Sequence, residues 1–272
     1  MIELPETYVL SKQINHTLAG KTIKAATANA HPHAFAWYTG DPAMYGAMLT
    51  GKTVVSANPG IGSCGGCTEI LCDDMLLVIS TPIKYHTAGE KLPKSHQLLL
   101  TFDDDTYMSC TIQMWGSMLC IPAMQPSNDI DKPSPLEDAF DERYWDMLLQ
   151  SAKPNLSMKA LLATEQRIPG LGNGVLHDIL FNARLNPKRK LETLTDEDKG
   201  NLFNAVKTTL KAMRDGGGRD TEKDLYNQWG GYQTILSANS WKRSGRCSVC
   251  AGDLVKAAYL GGAIYYCPAC QI

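Results

Sequence analysis

Four cysteines near the carboxyl end constrain this chain more than any other feature. Cys247-Ser-Val-Cys250 and Cys267-Pro-Ala-Cys270 form two CxxC pairs with sixteen residues between them, a spacing that reads as a structural zinc site. Zn²⁺ prefers a tetrahedron of thiolates, and each CxxC turn offers two sulfurs from one knuckle. The segments 254–260 and 263–266 flank Gly261-Gly262, which predicts a two-stranded hairpin hung on the metal. A module this small buries too little apolar surface to fold alone, so the metal supplies its folding energy. One structural Zn²⁺ per chain, with no open coordination position, is the expectation.

The full complement of nine cysteines is odd, and Met1-Ile2-Glu3-Leu4-Pro5-Glu6 has neither the basic nor the apolar region of an export signal. Free thiols and metal ligands in a cytoplasmic protein are therefore expected, not a disulfide framework. No window approaches about 18 uninterrupted apolar residues, which argues against a membrane span. With 44% hydrophobic and 20% charged residues the composition is that of a globular chain, and 272 residues suggest two domains with a small appendage. The net charge of −2 hides an asymmetry. Residues 1–150 hold 9 Lys+Arg against 17 Asp+Glu, a net of −8, whereas residues 151–272 hold 17 against 11, a net of +6. A basic half on an acidic chain suggests that one part meets a polyanion, although an uneven solvated surface would look the same.

After Pro5-Glu6, Leu10, Ile14 and Leu18 recur at a spacing of four and Gly20 closes the segment, predicting an amphipathic helix. From Lys21 to about Met124 the pattern changes to short β-rich runs, among them 75–79, 97–102 and 107–112, the last two joined by the acidic turn Asp103-Asp-Asp105. Runs at this spacing imply a β-sandwich or barrel. Lys132-Pro-Ser-Pro135 is the natural linker to a helical stretch, with helices expected over 136–150 and 158–168, a third marked by Val175, Leu176, Ile179 and Leu180, and a fourth capped by Thr195 and ended by Gly216-Gly-Gly218. The expected boundaries are 1–131 for the N-terminal β-sandwich domain, 132–219 for the helical domain and 220–272 for the zinc module.

An order of helix, β-sandwich, helical bundle and zinc hairpin, an α+β multidomain chain, resembles the formamidopyrimidine-DNA glycosylase / endonuclease VIII family. Glu3-Leu4-Pro5-Glu6 resembles the family's amino-terminal Glu-Leu-Pro-Glu. Pro169-Gly170-Leu171-Gly172-Asn173 resembles the Gly-x-Gly-Asn turn of its helix–two-turn–helix, and Tyr266-Cys267-Pro268-Ala269-Cys270-Gln271 its zinc-finger ending. The resemblance implies a monomer that binds lesion-containing duplex DNA in base-excision repair, associated with the nucleoid when bound. It also implies a phosphate contact from Asn173 beside Gly170 and Gly172, which let backbone approach an anion closely. Gln113-Met114-Trp115 occupies the stretch of an insertion loop that fills the gap left by a flipped base, with Trp115 as core at a strand end as the equal alternative. Glu3 is the implied acid–base group and Glu6 helps position the helix start, though either can be a capping carboxylate.

The departures from the family are chemical. Its nucleophile is an N-terminal proline that forms a Schiff base with the sugar, and here that position is Ile2. An isoleucine after the initiator predicts a retained Met1 and an Ile2 nitrogen that is an unreactive amide. The family's zinc hairpin carries an Arg five residues before its third cysteine, where this chain has Gly262, and Val55 to Cys72 lacks the family's Lys. That stretch instead holds Cys64, Cys67 and Cys72, which read as free thiols in a Gly-rich loop or as part of a second metal site. Lys84 and Lys94 lie in the sheet region, and nothing in the sequence aims them at a sugar. The expectation is a damaged-DNA glycosylase with weak or lost AP-lyase activity, hydrolytic through Glu3 or binding without cutting. The alternatives are an RNA-binding or regulatory zinc-finger protein and a zinc-stabilised protein adaptor.

Overall fold

The computed structural model describes residues 2–60, 66–123 and 132–272, which form two compact units. The first comprises Met1–Ile130 with Gly217–Gly231, the second Asp131–Gly216 with Tyr232–Ile272. This differs from three consecutive stretches: the segment after the long helix returns to the N-terminal unit, and the hairpin module belongs with the helices.

In the first unit, helix α1 (Leu4–Thr17) buries Leu10 and Ile14 on the stripe predicted for it. Strand β1 (Ile23–Ala28) and β2 (Ala36–Trp37) follow, then a short α2 (Tyr45–Leu49) that no sequence pattern announced. The remaining strands are β3 (Val54–Gly60), β4 (Cys67–Cys72), β5 (Met75–Ile79), β6 (Ile83–His86), β7 (Leu98–Phe102), β8 (Tyr107–Cys110) and β9 (Gly116–Pro122). They make one sheet in the order β1-β7-β8-β6 and a second in the order β2-β9-β5-β4-β3, antiparallel except for β2 beside β9. β7 and β8 pair around Asp103–Asp105 as expected, with Leu100 opposite Met108. Ile23, Leu100 and Phe102 from one sheet, Val54, Leu77 and Met118 from the other, and Leu10 and Ile14 from α1 share one core, so the sandwich closes with α1 against it.

The returning segment Gly217–Gly231 completes this core with Leu225, which is fully buried. Its neighbours bind it from three elements: Leu225 donates its N–H to Gln13 Oε1, Tyr85 donates its N–H to the Leu225 carbonyl, and Gln13 Nε2 donates to Asp224. The loop crosses itself where Gly230 lies against Gly218. A Cβ on Gly230 would stand 2.3 Å from the Gly218 carbonyl, so only glycine permits the crossing.

In the second unit, α3 (Glu142–Gln150) starts six residues later than the hydrophobic pattern suggests, because Asp141 caps it by accepting from the Tyr144 N–H. The helix expected over 158–168 is shorter and wound as a π-helix over Ala160–Thr164. α4 (Asn173–Asn182) and α5 (Asp196–Asp215) follow, the latter with a reciprocal box in which Thr195 Oγ1 accepts from the Asp198 N–H and Asp198 accepts from the Thr195 N–H. After α6 (Ala238–Arg243), strands β10 (Val255–Tyr259) and β11 (Gly262–Tyr266) form the terminal hairpin. Its two-residue turn is Leu260-Gly261, both at positive φ (45° and 74°), as a type I′ connection requires. Gly262 is thus the first residue of β11, opposite Tyr259, and not part of the turn as its sequence suggests. The fully buried carboxylate of Asp178 on α4 accepts from the N–H groups of Ile235 and Leu236 and fixes the chain's approach to the hairpin. Among the described residues no helix is long and apolar enough to cross a membrane.

Candidate functional site

The start of α1 carries the densest charge cluster of the first unit. Glu6 accepts from the Glu3 N–H at 3.0 Å, so the two glutamates of the Glu-Leu-Pro-Glu stretch close the helix start. Arg219, from the returning loop, lays its fork on Glu6: Nε donates to Oε1 at 2.9 Å, Nη2 to Oε2 at 2.7 Å, and its N–H to Oε1 at 3.2 Å. Its Nη1 stands 3.6 Å from Glu3 Oε1. All three residues are buried. Burial pushes the Glu6 carboxyl up, but the guanidinium outweighs it and holds Glu6 below the ordinary carboxylate range. Burial likewise pulls on Arg219, and the carboxylates of Glu3 and Glu6 overcome it and keep the guanidinium charged. Glu222 on the same loop is shifted the other way, up, chiefly by its burial. Ile2 is 2% exposed and its side chain is part of the core.

At the other pole of this unit's chemistry, Gln113, Met114 and Trp115 are exposed, Met114 by 72% and Trp115 by 39%. Trp115 is therefore not a core residue at a strand end. It meets Trp37 edge to face with ring centroids 6.0 Å apart, and Phe35 is also exposed. These aromatics, with His33 and Met114, line an open hollow of about 710 Å³. Phe35 and Trp37 carried no sequence signal, because β2 is only two residues long and offers no periodicity.

In the second unit, Gly170 adopts a φ of +80° and Gly172 caps α4, so Asn173 is the first helical residue. The Asn173 side chain is exposed and makes no hydrogen bond among the described residues. Facing it across the hairpin is Gly262: a Cβ there would lie 2.5 Å from Asn173 Nδ2 and 3.4 Å from Lys159 Nζ. Lys159 is 2% exposed and donates to the Tyr259 carbonyl at 2.6 Å. A lone lysine inside an apolar run was its only sequence signal.

The four ligand cysteines converge. Their sulfurs all lie within 4.8 Å of one another, with Cys247–Cys270 at 3.8 Å and Cys250–Cys267 at 3.5 Å. Zn–S bonds of about 2.3 Å in a tetrahedron place sulfurs about 3.8 Å apart, so the cage fits a structural Zn²⁺ and leaves no position for a reactive water. The Val249 N–H donates to Cys247 Sγ, as knuckle backbones do, and Gln271 ties the last knuckle down by accepting from the Cys267 N–H while donating to the Leu185 carbonyl. This is the only such grouping among the described residues. Cys67 and Cys72 are buried and in no disulfide, and burial pushes the Cys72 thiol up to about 12; Cys64, like Met1, falls outside the described residues.

No family model matches the chain. It is 25% identical to the formamidopyrimidine-DNA glycosylase of Bacillus cereus over 282 aligned residues, covering 100% of this chain and 99% of that one. The enzyme of the same name from Carboxydothermus hydrogenoformans is 33% identical over 141 residues, 51% of this chain and 52% of the relative. Among solved structures, the MutM (Fpg) protein of Thermus thermophilus matches with a TM-score of 0.78 at 21% identity, covering 99% of this chain and 98% of that one. The Lactococcus lactis Fpg, solved in complex with DNA containing an abasic site, matches with a TM-score of 0.80 at 22% identity and 99% coverage of both.

Proposed function

The chain belongs to the formamidopyrimidine-DNA glycosylase family, and from that membership we propose a DNA glycosylase of base-excision repair that removes a damaged base by hydrolysis and has little or no lyase activity. The observation carrying this reading is the buried cluster at the start of α1, where Arg219 donates three times to Glu6 and its Nη1 pairs with Glu3 at 3.6 Å. Glu6 and Arg219 hold the helix start, and Glu3, the acid–base group that the resemblance implies, takes the proton in this reading. In the proposed step a water oxygen bonds to the sugar C1′ as its proton passes to Glu3. The N-glycosidic bond breaks, and the departing base takes up a proton.

Ile2 supports the second half of the reading. A Schiff base with the sugar needs an amine lone pair held within reach of C1′, and Ile2 supplies neither a proline ring nor a mobile chain, because its side chain is locked in the core. Three further features fit duplex binding. The exposed Gln113–Trp115 loop with Phe35 and Trp37 suits unstacked bases. The Asn173 turn suits a backbone phosphate, and residues 151–272 carry the positive charge. A runner-up is favoured by one observation: Glu3 is itself 6% exposed beside Arg219, which suits a protein that holds damaged DNA without excising the base.

The test is a panel of duplexes carrying oxidised, alkylated and abasic sites, with base release, strand cleavage and borohydride capture scored separately. Base release without a trapped adduct, falling by about 10²-fold or more in Glu3→Gln, is the expected outcome given what general acid–base help contributes. Retained lesion binding with no base release on any substrate establishes the runner-up. A covalent adduct in the wild-type protein overturns the loss of lyase chemistry.

A further inference from the structure

Two tryptophans from segments distant in sequence meet at the surface of the first unit. Trp37 of β2 is 51% exposed and Phe35 just before it 57%, while Met114 and Trp115 come from the loop that leads into β9. Single exposed apolar side chains are ordinary, but four large ones around one hollow of about 710 Å³ mark a binding surface. Its shape is built in advance. The buried Gln97 amide donates to the His31 carbonyl at 2.9 Å and accepts from the Ile112 N–H at 2.8 Å, so one side chain pins both segments. The Gly116 N–H donates to the Phe35 carbonyl, and Trp37 pairs with Ser117 beyond it. The indoles of Trp37 and Trp115 stand at 75° to each other. A planar ring stacked on one therefore meets the other edge to face, and both arrangements are favourable. No Lys, Arg, Asp or Glu lines the hollow, which disfavours a phosphate or an ion-paired peptide. Its polar groups are His33, whose Nδ1 accepts the Phe35 N–H, and Gln113, whose amide has no hydrogen bond among the described residues. A neutral, planar partner with donors and acceptors around its edge fits these walls, and in DNA that partner is a base.

We propose that the Phe35–Trp37–Trp115 hollow is a second base subsite, which holds one undamaged base that has lost its pairing partner. This rests on the duplex-binding reading above and names the substrate class within it: DNA with an unpaired base near the lesion. The base held here is not the one excised, because the hollow shares no lining residue with the Glu3–Glu6–Arg219 cluster. Trp115 is the least exposed of the four apolar residues and its ring rests against Trp37, so it forms a wall of the hollow and not a free wedge. In a fully paired duplex, filling the hollow costs the unpairing and unstacking of a base, and a base already unpaired avoids that cost.

Two lesion-free duplexes test this with the full-length zinc-loaded protein, one fully paired and one carrying a single unpaired fluorescent purine in a bulge. The bulged duplex should bind about tenfold tighter or more, the size of one base–aromatic stack, and the purine's emission should be quenched as it stacks. That preference should not change with salt, because no additional phosphate is neutralised. Trp37→Ala and, separately, Phe35→Ala should lose both the preference and the quenching while keeping wild-type affinity for the paired duplex. Both side chains are exposed, so the unfolding temperature should stay in place. Trp37→Phe retains a ring and should retain most of the preference. Equal binding of the two duplexes by the wild-type protein, or a preference that survives Trp37→Ala, overturns the subsite and leaves the duplex-binding reading standing. Binding to neither duplex removes both. A protein that sediments as a dimer until Trp37→Ala makes it a monomer assigns the hollow to a second copy of this chain, which also overturns the proposal.

Discussion

The two regions richest in buried charge solve opposite problems. At the start of α1, Arg219 has two carboxylates, and its fork and main-chain N–H are spent on Glu6 within 3.2 Å. Beside the terminal hairpin, Lys159 is equally buried and has one neutral carbonyl. Internal pairing in the first region sets a helix start; in the second the single bond ties the segment before the π-helix to the end of β10. A buried cation is thus informative only together with its partners. With two carboxylates it closes a helix start, and with one carbonyl it joins two elements.

Removing the metal should break this comparison most severely. Structural zinc contributes on the order of 10–16 kcal/mol to such modules at neutral pH, so chelation, or Cys250→Ser, should unfold β10 and β11 and abolish duplex binding while the first unit keeps its circular-dichroism signature. Metal analysis finding no zinc, or a hairpin that stays protected from hydrogen exchange in chelator, would contradict this.

Arg219→Met comes next. Removing one partner strands two buried carboxylates, which costs about 3–5 kcal/mol, readable as a lower denaturant midpoint. The pH dependence should also change sign. In the wild-type protein the Glu6 carboxyl is held below its ordinary value, so its contribution is present above about pH 4.3 and disappears as pH falls through the lowered value. Without the guanidinium only burial remains, which raises the carboxyl, so the variant should gain stability on mild acidification. Identical pH profiles for the two proteins would show that Arg219 does not govern Glu6.

Trp115→Ala sharpens the contrast from the binding side. Loss of one stacking ring costs about 1–3 kcal/mol of affinity. Because the ring carries no charge, the salt slope should not move. The smallest effect is expected at Thr195→Ala, which removes an N-cap worth about 1 kcal/mol of stability and should leave DNA affinity intact.

What was readable in the chain followed locality. The CxxC pairs, the Thr195–Asp198 box and the β7–β8 hairpin are each specified within a few residues, and each is where the sequence pointed. The turn of the terminal hairpin was displaced by one residue because Gly261 and Gly262 are equally permissive, and only register distinguishes them: Tyr259 opposite Gly262. The π-helix replaced an expected α-helix over 158–168, since apolar spacing does not report the hydrogen-bond ladder. Arg219 was out of reach altogether. Its role depends on a contact across 213 residues, and in sequence it is merely the residue after three glycines. Lys159 and Gly262 were likewise invisible as a pair, because their meeting requires β11 to lie beside the turn before α4.

The return of Gly217–Gly231 to the first unit has a consequence in time. A chain made at about 5–20 residues per second takes roughly 10–40 s to travel from Glu6 to Arg219. Through that interval the nascent sandwich has its helix and most of both sheets but neither Leu225 in its core nor a cation between its glutamates. Those carboxylates must stay hydrated, so the head of α1 cannot seal until the loop arrives. The amino-terminal unit, first to leave the ribosome, is therefore completed only after the long helix α5 has been synthesised, and a truncation before residue 219 should leave it open at the end that carries Glu3.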